Sequence, residues 1–128
     1  MGGIRGGMDT RDKIVGTGGC GGRGSTAAVT GYFDPLLAWH AGELERVRGR
    51  VGALVVVVLP LAGELLPQVA RAGLVAALRM VDYVLIAENG DLDRLFAELN
   101  PVEIVRLEDR DFRRREELME HVRRRHNY

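Results

Sequence analysis

After Thr30 the chain contains no serine and no threonine, and its only lysine is Lys13. Chemistry in the body of the protein must therefore do without a serine or threonine hydroxyl nucleophile or a phosphate-gripping lysine. Basic work falls to arginine, and helix caps must come from Asp, Asn or Gly. A single cysteine, Cys20, excludes an intramolecular disulfide and an all-cysteine metal site. Formal net charge is zero, so the overall balance favours neither nucleic acid nor an anionic membrane. The most apolar run, Ala53 to Ala62, is far shorter than the roughly 20 residues of a membrane span. The N-terminus lacks the apolar segment of about 7–15 residues that a signal peptide uses, so the expected compartment is the cytoplasm.

What is present fits one domain. A chain of 128 residues can bury about two-thirds of its unfolded surface. Ten of the seventeen glycines fall in residues 1–25. Such a segment buries too little apolar surface to offset its conformational entropy, and it is expected to be disordered. Residues 26–128 then form the domain proper.

From Ser25 onward, short apolar runs alternate with amphipathic stretches. Ala27–Phe33 reads as a buried strand and Trp39–Arg50 as a helix with Trp39, Leu44 and Val47 on one side. Ala53–Leu59 (ALVVVVL) is β-branched and apolar on both faces, as a central parallel strand covered by helices must be. Pro67–Met80 is a second helix, with Pro67 in its first turn, and Val81–Ala87 a third strand. Asp91–Leu99 is a third helix stopped by Asn100-Pro101. Glu103–Leu107 is a fourth strand and Asp111–His126 a charged last helix. Four strand–helix alternations predict an α/β fold: a three-layer Rossmann-like sandwich whose mostly parallel sheet has about four to five strands.

Two glycine motifs are decoys. Gly16, Gly18 and Gly21 spell G-x-G-x-x-G, a dinucleotide fingerprint. Only Ile14 and Val15 precede it as strand, and the motif leads into more glycine and another strand where a helix is required. Gly19 to Ser25 mimics a phosphate-binding loop, but Arg23 and Gly24 stand where Gly-Lys is needed.

The informative stretch is residues 30–44, TGYFDPLLAWHAGEL. In open α/β sheets ligands bind beyond the carboxyl ends of strands, which is where Phe33-Asp34-Pro35 and His40 fall. Two readings of the residues stand side by side. In one, backbone amides and His40 hold an anion. In the other, Asp34 caps a turn, Pro35 stiffens it and His40 packs beneath the helix.

The segment TGYFDPLLAWHAGELERVR resembles the opening of the cytidylyltransferase-like nucleotidylyltransferases, the group containing glycerol-3-phosphate cytidylyltransferase and the nucleotidyl domain of ADP-heptose synthase. Their first strand ends in G-x-F-D-x-L-H-x-G-H, and Gly31, Phe33, Asp34, Leu36, His40 and Leu44 match. Arg71, Ala76-Ala77-Leu78 and Val81-Asp82-Tyr83-Val84 are similar to the family's arginine, helix and V-D-x-V strand. Asn100-Pro101 and Arg106-Leu107-Glu108-Asp109 stand where sugar-nucleotide members carry Pro-Asp and Lys-Gly-x-Asp. The resemblance spans roughly residues 27–110.

It implies a reaction in which a substrate phosphate attacks the α-phosphate of CTP or ATP and pyrophosphate leaves. It also implies a catalytic His40 and phosphate or nucleotide contacts from Tyr32, Phe33, Asp34, His40, Arg71 and Arg106. The implied partners are a nucleotide (CTP or ATP) or a phosphorylated small molecule, with Mg²⁺ accompanying a nucleoside triphosphate. No dedicated metal ligands, nucleic acid or membrane enter the reading. Leu37 occupies the position of the first histidine, Trp39 that of the glycine, and the family's later hydroxyl-rich segment has no counterpart. Losing one preorganised transition-state donor typically costs about 10²–10³ in rate. The expectation is therefore a divergent domain that binds a nucleotide or phosphorylated ligand with transfer weak or lost. The alternative is a non-catalytic interaction module whose last helix engages a partner or a second copy, a homodimer.

Two remaining clusters read as structural. Glu88-Asn-Gly-Asp-Leu-Asp93 combines a turn with Asp91 as a helix cap. Arg113–Arg115 and Arg123–Arg125 are interleaved with Glu116, Glu117 and Glu120, which makes a solvated or partner-facing helix.

Overall fold

In the computed structural model the structure describes residues 9–20 and 24–126. Four strands, β1 (Thr26–Gly31), β2 (Ala53–Val58), β3 (Tyr83–Ile86) and β4 (Glu103–Arg106), form one sheet in the order β3-β2-β1-β4. All three pairings are parallel. The helices are α1 (Ala38–Arg48), α2 (Gln68–Ala76), α3 (Leu92–Leu99) and α4 (Glu108–His126). This is the expected α/β architecture, with helices on both faces of a parallel sheet.

Strand β2 shows why the layers form. Leu54, Val56 and Val58 face a core shared with Leu44 and Val47 of α1 and Ala72, Val75 and Ala76 of α2. Val55, Val57 and Leu59 face the other side, toward Leu95 of α3. Each of the six β2 residues is buried. A strand apolar on alternate residues only could not serve two cores at once.

Residues 9–20, expected to be disordered, are seated on the edge of β3. Ile14 forms a bridge with Val84, and Val15 N–H donates to the Val84 carbonyl at 3.0 Å. Lys13 Nζ donates to the Leu78 carbonyl at 3.0 Å. Two aliphatic residues next to each other suffice to extend a sheet edge, even among glycines. Residues 1–8 and 21–23, including Gly21 of the fingerprint, lie outside the described residues. Within the described part, Thr17–Gly19 is a short 3₁₀ turn, and the next element is β1. Cys20 is half-buried, and that burial pushes its thiol pKa up.

The order of the strands fixes where a site can be. From β1 the chain steps to β2 and β3 on one side, and β4 returns to the other side of β1. The direction of winding thus reverses between β1 and β4, and ligands of such sheets bind outside the strand ends at that reversal. The β1–α1 loop, the β2–α2 loop and the start of α4 all arrive there.

Candidate functional site

The site grows from the end of β1. Gly31 is its last residue, and a Cβ there would meet the Phe33 ring at 2.9 Å and Asp111 Oδ2 at 3.2 Å. Only glycine lets these groups approach so closely. Phe33 then takes a left-handed conformation, φ 50°, which a bulky residue adopts only when its surroundings hold it. Its ring, fully buried, lies 4.9 Å from that of His40. In this turn the N–H groups of Tyr32 and Phe33 both donate to Asp111 Oδ2, each at 2.7 Å.

His40 supplies a third donor. Its Nδ1 accepts from the Leu37 N–H at 2.9 Å. That assignment puts the proton on Nε2, which lies 2.9 Å from Asp111 Oδ1. Three donors thus converge on one carboxylate, and both His40 and Asp111 are buried. Trp39 stacks on His40 at 4.0 Å and is itself covered by the Arg110 guanidinium, 4.3 Å from the ring centroid. The indole Nε1 is buried with no hydrogen-bond partner.

A second carboxylate organises the neighbouring loop. Asp34, fully buried, accepts from the N–H groups of Leu65 (2.6 Å) and Leu66 (2.9 Å). Arg115 Nε stands 3.4 Å from Asp34 Oδ2, while Arg115 Nη2 donates to the Gly63 carbonyl. Arg71 is likewise buried. It donates to the carbonyls of Tyr32 (2.7 Å), Leu59 (2.9 Å) and Leu66 (3.0 Å) and to Glu64 Oε2 (2.7 Å). It pins the β1–α1 loop to the β2–α2 loop.

The residues expected at the site are therefore mostly together but differently employed. Tyr32, Phe33, Asp34, His40 and Arg71 meet at the carboxyl end of β1 and β2. Every nitrogen of Arg71 donates to protein, and both His40 nitrogens are engaged. In this arrangement Leu37 and Asp111 take both His40 nitrogens, and the buried Arg71 is spent on loop carbonyls and Glu64. Arg106 lies on the exposed edge, its Nε donating to Glu108 Oε2 at 2.8 Å. Glu108 also accepts from the Thr30 hydroxyl. Asp91 accepts from the Glu88 N–H at 3.1 Å and pairs with Arg94, a turn and not a ligand set. Among the described residues, no three His, Cys, Asp or Glu side chains are grouped to hold a metal ion.

Asp111 and Arg115 are the residues that sequence reasoning misses, because they read as part of a solvated charge pattern. Their spacing of four puts them on one helical face. The sequence alone offers no further mark that this face is the inward one. A groove of about 600 Å³ opens beside the cradle, lined by Tyr32, Asp109, Phe112 and Arg113. The Tyr32 hydroxyl is pushed up from its ordinary pKa by burial and then by the negative charge of Glu108, Asp109 and Asp111.

Fold and site together define a Rossmann-like α/β domain with an anion cradle at its topological switch point. No family model matches the chain, and no curated protein matches it. Its structure is similar to the crystal structure of the lipopolysaccharide core biosynthesis protein from Thermoplasma volcanium GSS1, with 25% sequence identity and a TM-score of 0.60. The match covers 64% of this chain and 73% of that one. No helix among the described residues is long and apolar enough to cross a membrane.

Proposed function

We infer that this is a nucleotidylyltransferase-like domain that binds a nucleotide or phosphorylated small molecule at the β1–α1 cradle, with transfer weak or lost. The carrying observation is the convergence of Tyr32 N–H, Phe33 N–H and His40 Nε2–H on a single carboxylate. Carboxylate and phosphate oxygens ask for the same donors. A cradle that holds one suits the other once Asp111 withdraws. Turnover is another matter. Leu37 cannot donate to a phosphate, Trp39 fills the space over His40, and no serine or threonine hydroxyl follows Thr30 to hold departing pyrophosphate. The similarity to a lipopolysaccharide core biosynthesis protein supports a phosphorylated sugar among the ligands to try.

The test is thermal unfolding of the wild type and Asp111→Asn against inorganic pyrophosphate, CTP, ATP and sugar phosphates, with and without Mg²⁺. A ligand at about a hundred times its dissociation constant adds about 2.7 kcal/mol of stability. At about 2–8 °C per kcal/mol the melting temperature of such a domain rises by several degrees. The larger shift is expected in Asp111→Asn, whose cradle lacks the competing charge. No shift in either protein with any ligand at millimolar concentration would sink the reading.

The alternative, an interaction module on the same fold, draws on an exposed apolar groove lined by Leu65, Leu118, Met119 and Val122. Self-association that disappears in Leu118→Glu would favour it.

A further inference from the structure

The way α4 is attached to the body has a consequence for the cradle. Of its nineteen residues, the buried ones whose side chains are described are Asp111 and Arg115, both charged. Of its large apolar residues, Phe112 (43%), Leu118 (39%) and Val122 (47%) are exposed and Met119 is half-buried. Apart from an edge-to-face contact of the Phe112 ring with Tyr32, the buried contacts that hold it are polar. Asp111 takes the three cradle donors, Arg115 reaches the Gly63 carbonyl, and Glu108 accepts from Thr30. Arg110 lies over Trp39 and reaches Glu43 at 3.4 Å. Arg115 Nε is buried without a hydrogen-bond partner, so this docking is incompletely satisfied. A helix anchored by an apolar stripe is indifferent to anions, whereas one anchored by a carboxylate in a three-donor cradle is not.

Resting on the binding reading above, we propose that α4 is a latch. Asp111 occupies the cradle as a built-in surrogate for a phosphate group, and a phosphate-bearing ligand displaces it and releases the helix. The two states share one set of donors, so ligand and latch exclude each other. The apparent dissociation constant is then the intrinsic one divided by the fraction of molecules with α4 undocked. Anything that loosens α4 tightens ligand binding by the same factor until the open state dominates.

Backbone hydrogen exchange of the whole chain tests this, with inorganic pyrophosphate as the probe and sodium chloride at equal ionic strength as the control. Saturating pyrophosphate is expected to speed exchange in residues 112–126 by about tenfold or more while leaving β1 and β2 unchanged. Asp111→Asn is expected to speed the same amides without ligand. Arg110→Ala gives the sharper discrimination, because it leaves the cradle donors untouched and its fold can be verified independently. Removing a nearby cation ordinarily weakens anion binding, whereas a latch predicts tighter pyrophosphate binding, by about threefold to tenfold in dissociation constant.

If pyrophosphate stabilises the protein yet α4 exchange is unaltered, the latch is wrong and the binding site stands. If Arg110→Ala binds pyrophosphate more weakly, the latch is likewise overturned. If pyrophosphate stabilises neither the wild type nor Asp111→Asn, the site reading itself fails and takes the latch with it.

Discussion

Helices α2 and α4 both lie against the same parallel sheet, and they are attached by opposite means. Helix α2 buries Ala72, Val75 and Ala76 against β2 and β3. Helix α4 buries Asp111 and Arg115. Apolar burial contributes roughly 25 cal/mol per Å² whichever neighbour supplies the contact, so α2 is held without needing a particular geometry. A buried ion held by hydrogen bonds is stabilised only while its partners stay in place, because desolvation offsets most of the attraction. Apolar attachment builds the body, and polar attachment makes an edge that can be exchanged. Arg71 marks the boundary, since it stands on α2 among apolar neighbours while its guanidinium serves the loops of the site.

The largest expected effect probes that boundary. Arg71→Met keeps length and apolar bulk but removes the donors of three carbonyls, those of Tyr32, Leu59 and Leu66. An unsatisfied buried acceptor costs about 1–3 kcal/mol, and relaxation recovers part, so a loss of about 3–5 kcal/mol is expected in urea unfolding. A loss below about 1 kcal/mol would mean that the two loops do not depend on this arginine.

The next pair of substitutions attacks the comparison itself. Leu44, on α1, is fully buried, and Leu44→Ala is expected to cost about 2–5 kcal/mol of global stability. Leu118→Ala, on the exposed part of α4, is expected to change it by less than about 0.5 kcal/mol. Equal losses at the two positions, read from the same denaturation curves, would show that α4 is part of the cooperative core and would undo the contrast.

The contrast also explains which parts of the molecule were legible in the sequence. Strand β2 announced itself, because a six-residue strand buried on both faces needs an unbroken apolar run. The alternation of elements gave the fold class for the same reason: periodicity records burial of apolar side chains. Residues 30–40 were legible as a site because Gly31, Phe33, Asp34 and His40 keep a recognisable spacing. The employment of those residues was not legible. That His40 gives one nitrogen to Leu37 and the other to Asp111 depends on a contact across 71 positions. Asp111 and Arg115 were hidden because buried charges look like surface charges in a one-dimensional pattern. Residues 9–20 were hidden because Ile14 and Val15 are too few to make a periodic signal, yet β3 supplies an edge for them.

The smallest expected effect has the opposite sign. Gly42 lies within α1, and a Cβ built there meets nothing within 4 Å. Glycine inside a helix is less favourable than alanine by roughly 0.5–1 kcal/mol, because its unfolded backbone has more freedom to lose. Gly42→Ala should therefore stabilise the protein by about that amount, seen as a rise in the midpoint of urea unfolding with an unchanged slope. Helix α1 carries both His40 of the cradle and Leu44 of the core, so this substitution stiffens the scaffold without adding a contact to α4. If cradle and latch are governed by polar exchange, pyrophosphate affinity stays within about twofold of the wild type. A change in affinity beyond that would tie the cradle to the folding of α1, and the division between an apolar body and an exchangeable polar edge would have to be drawn further along the chain.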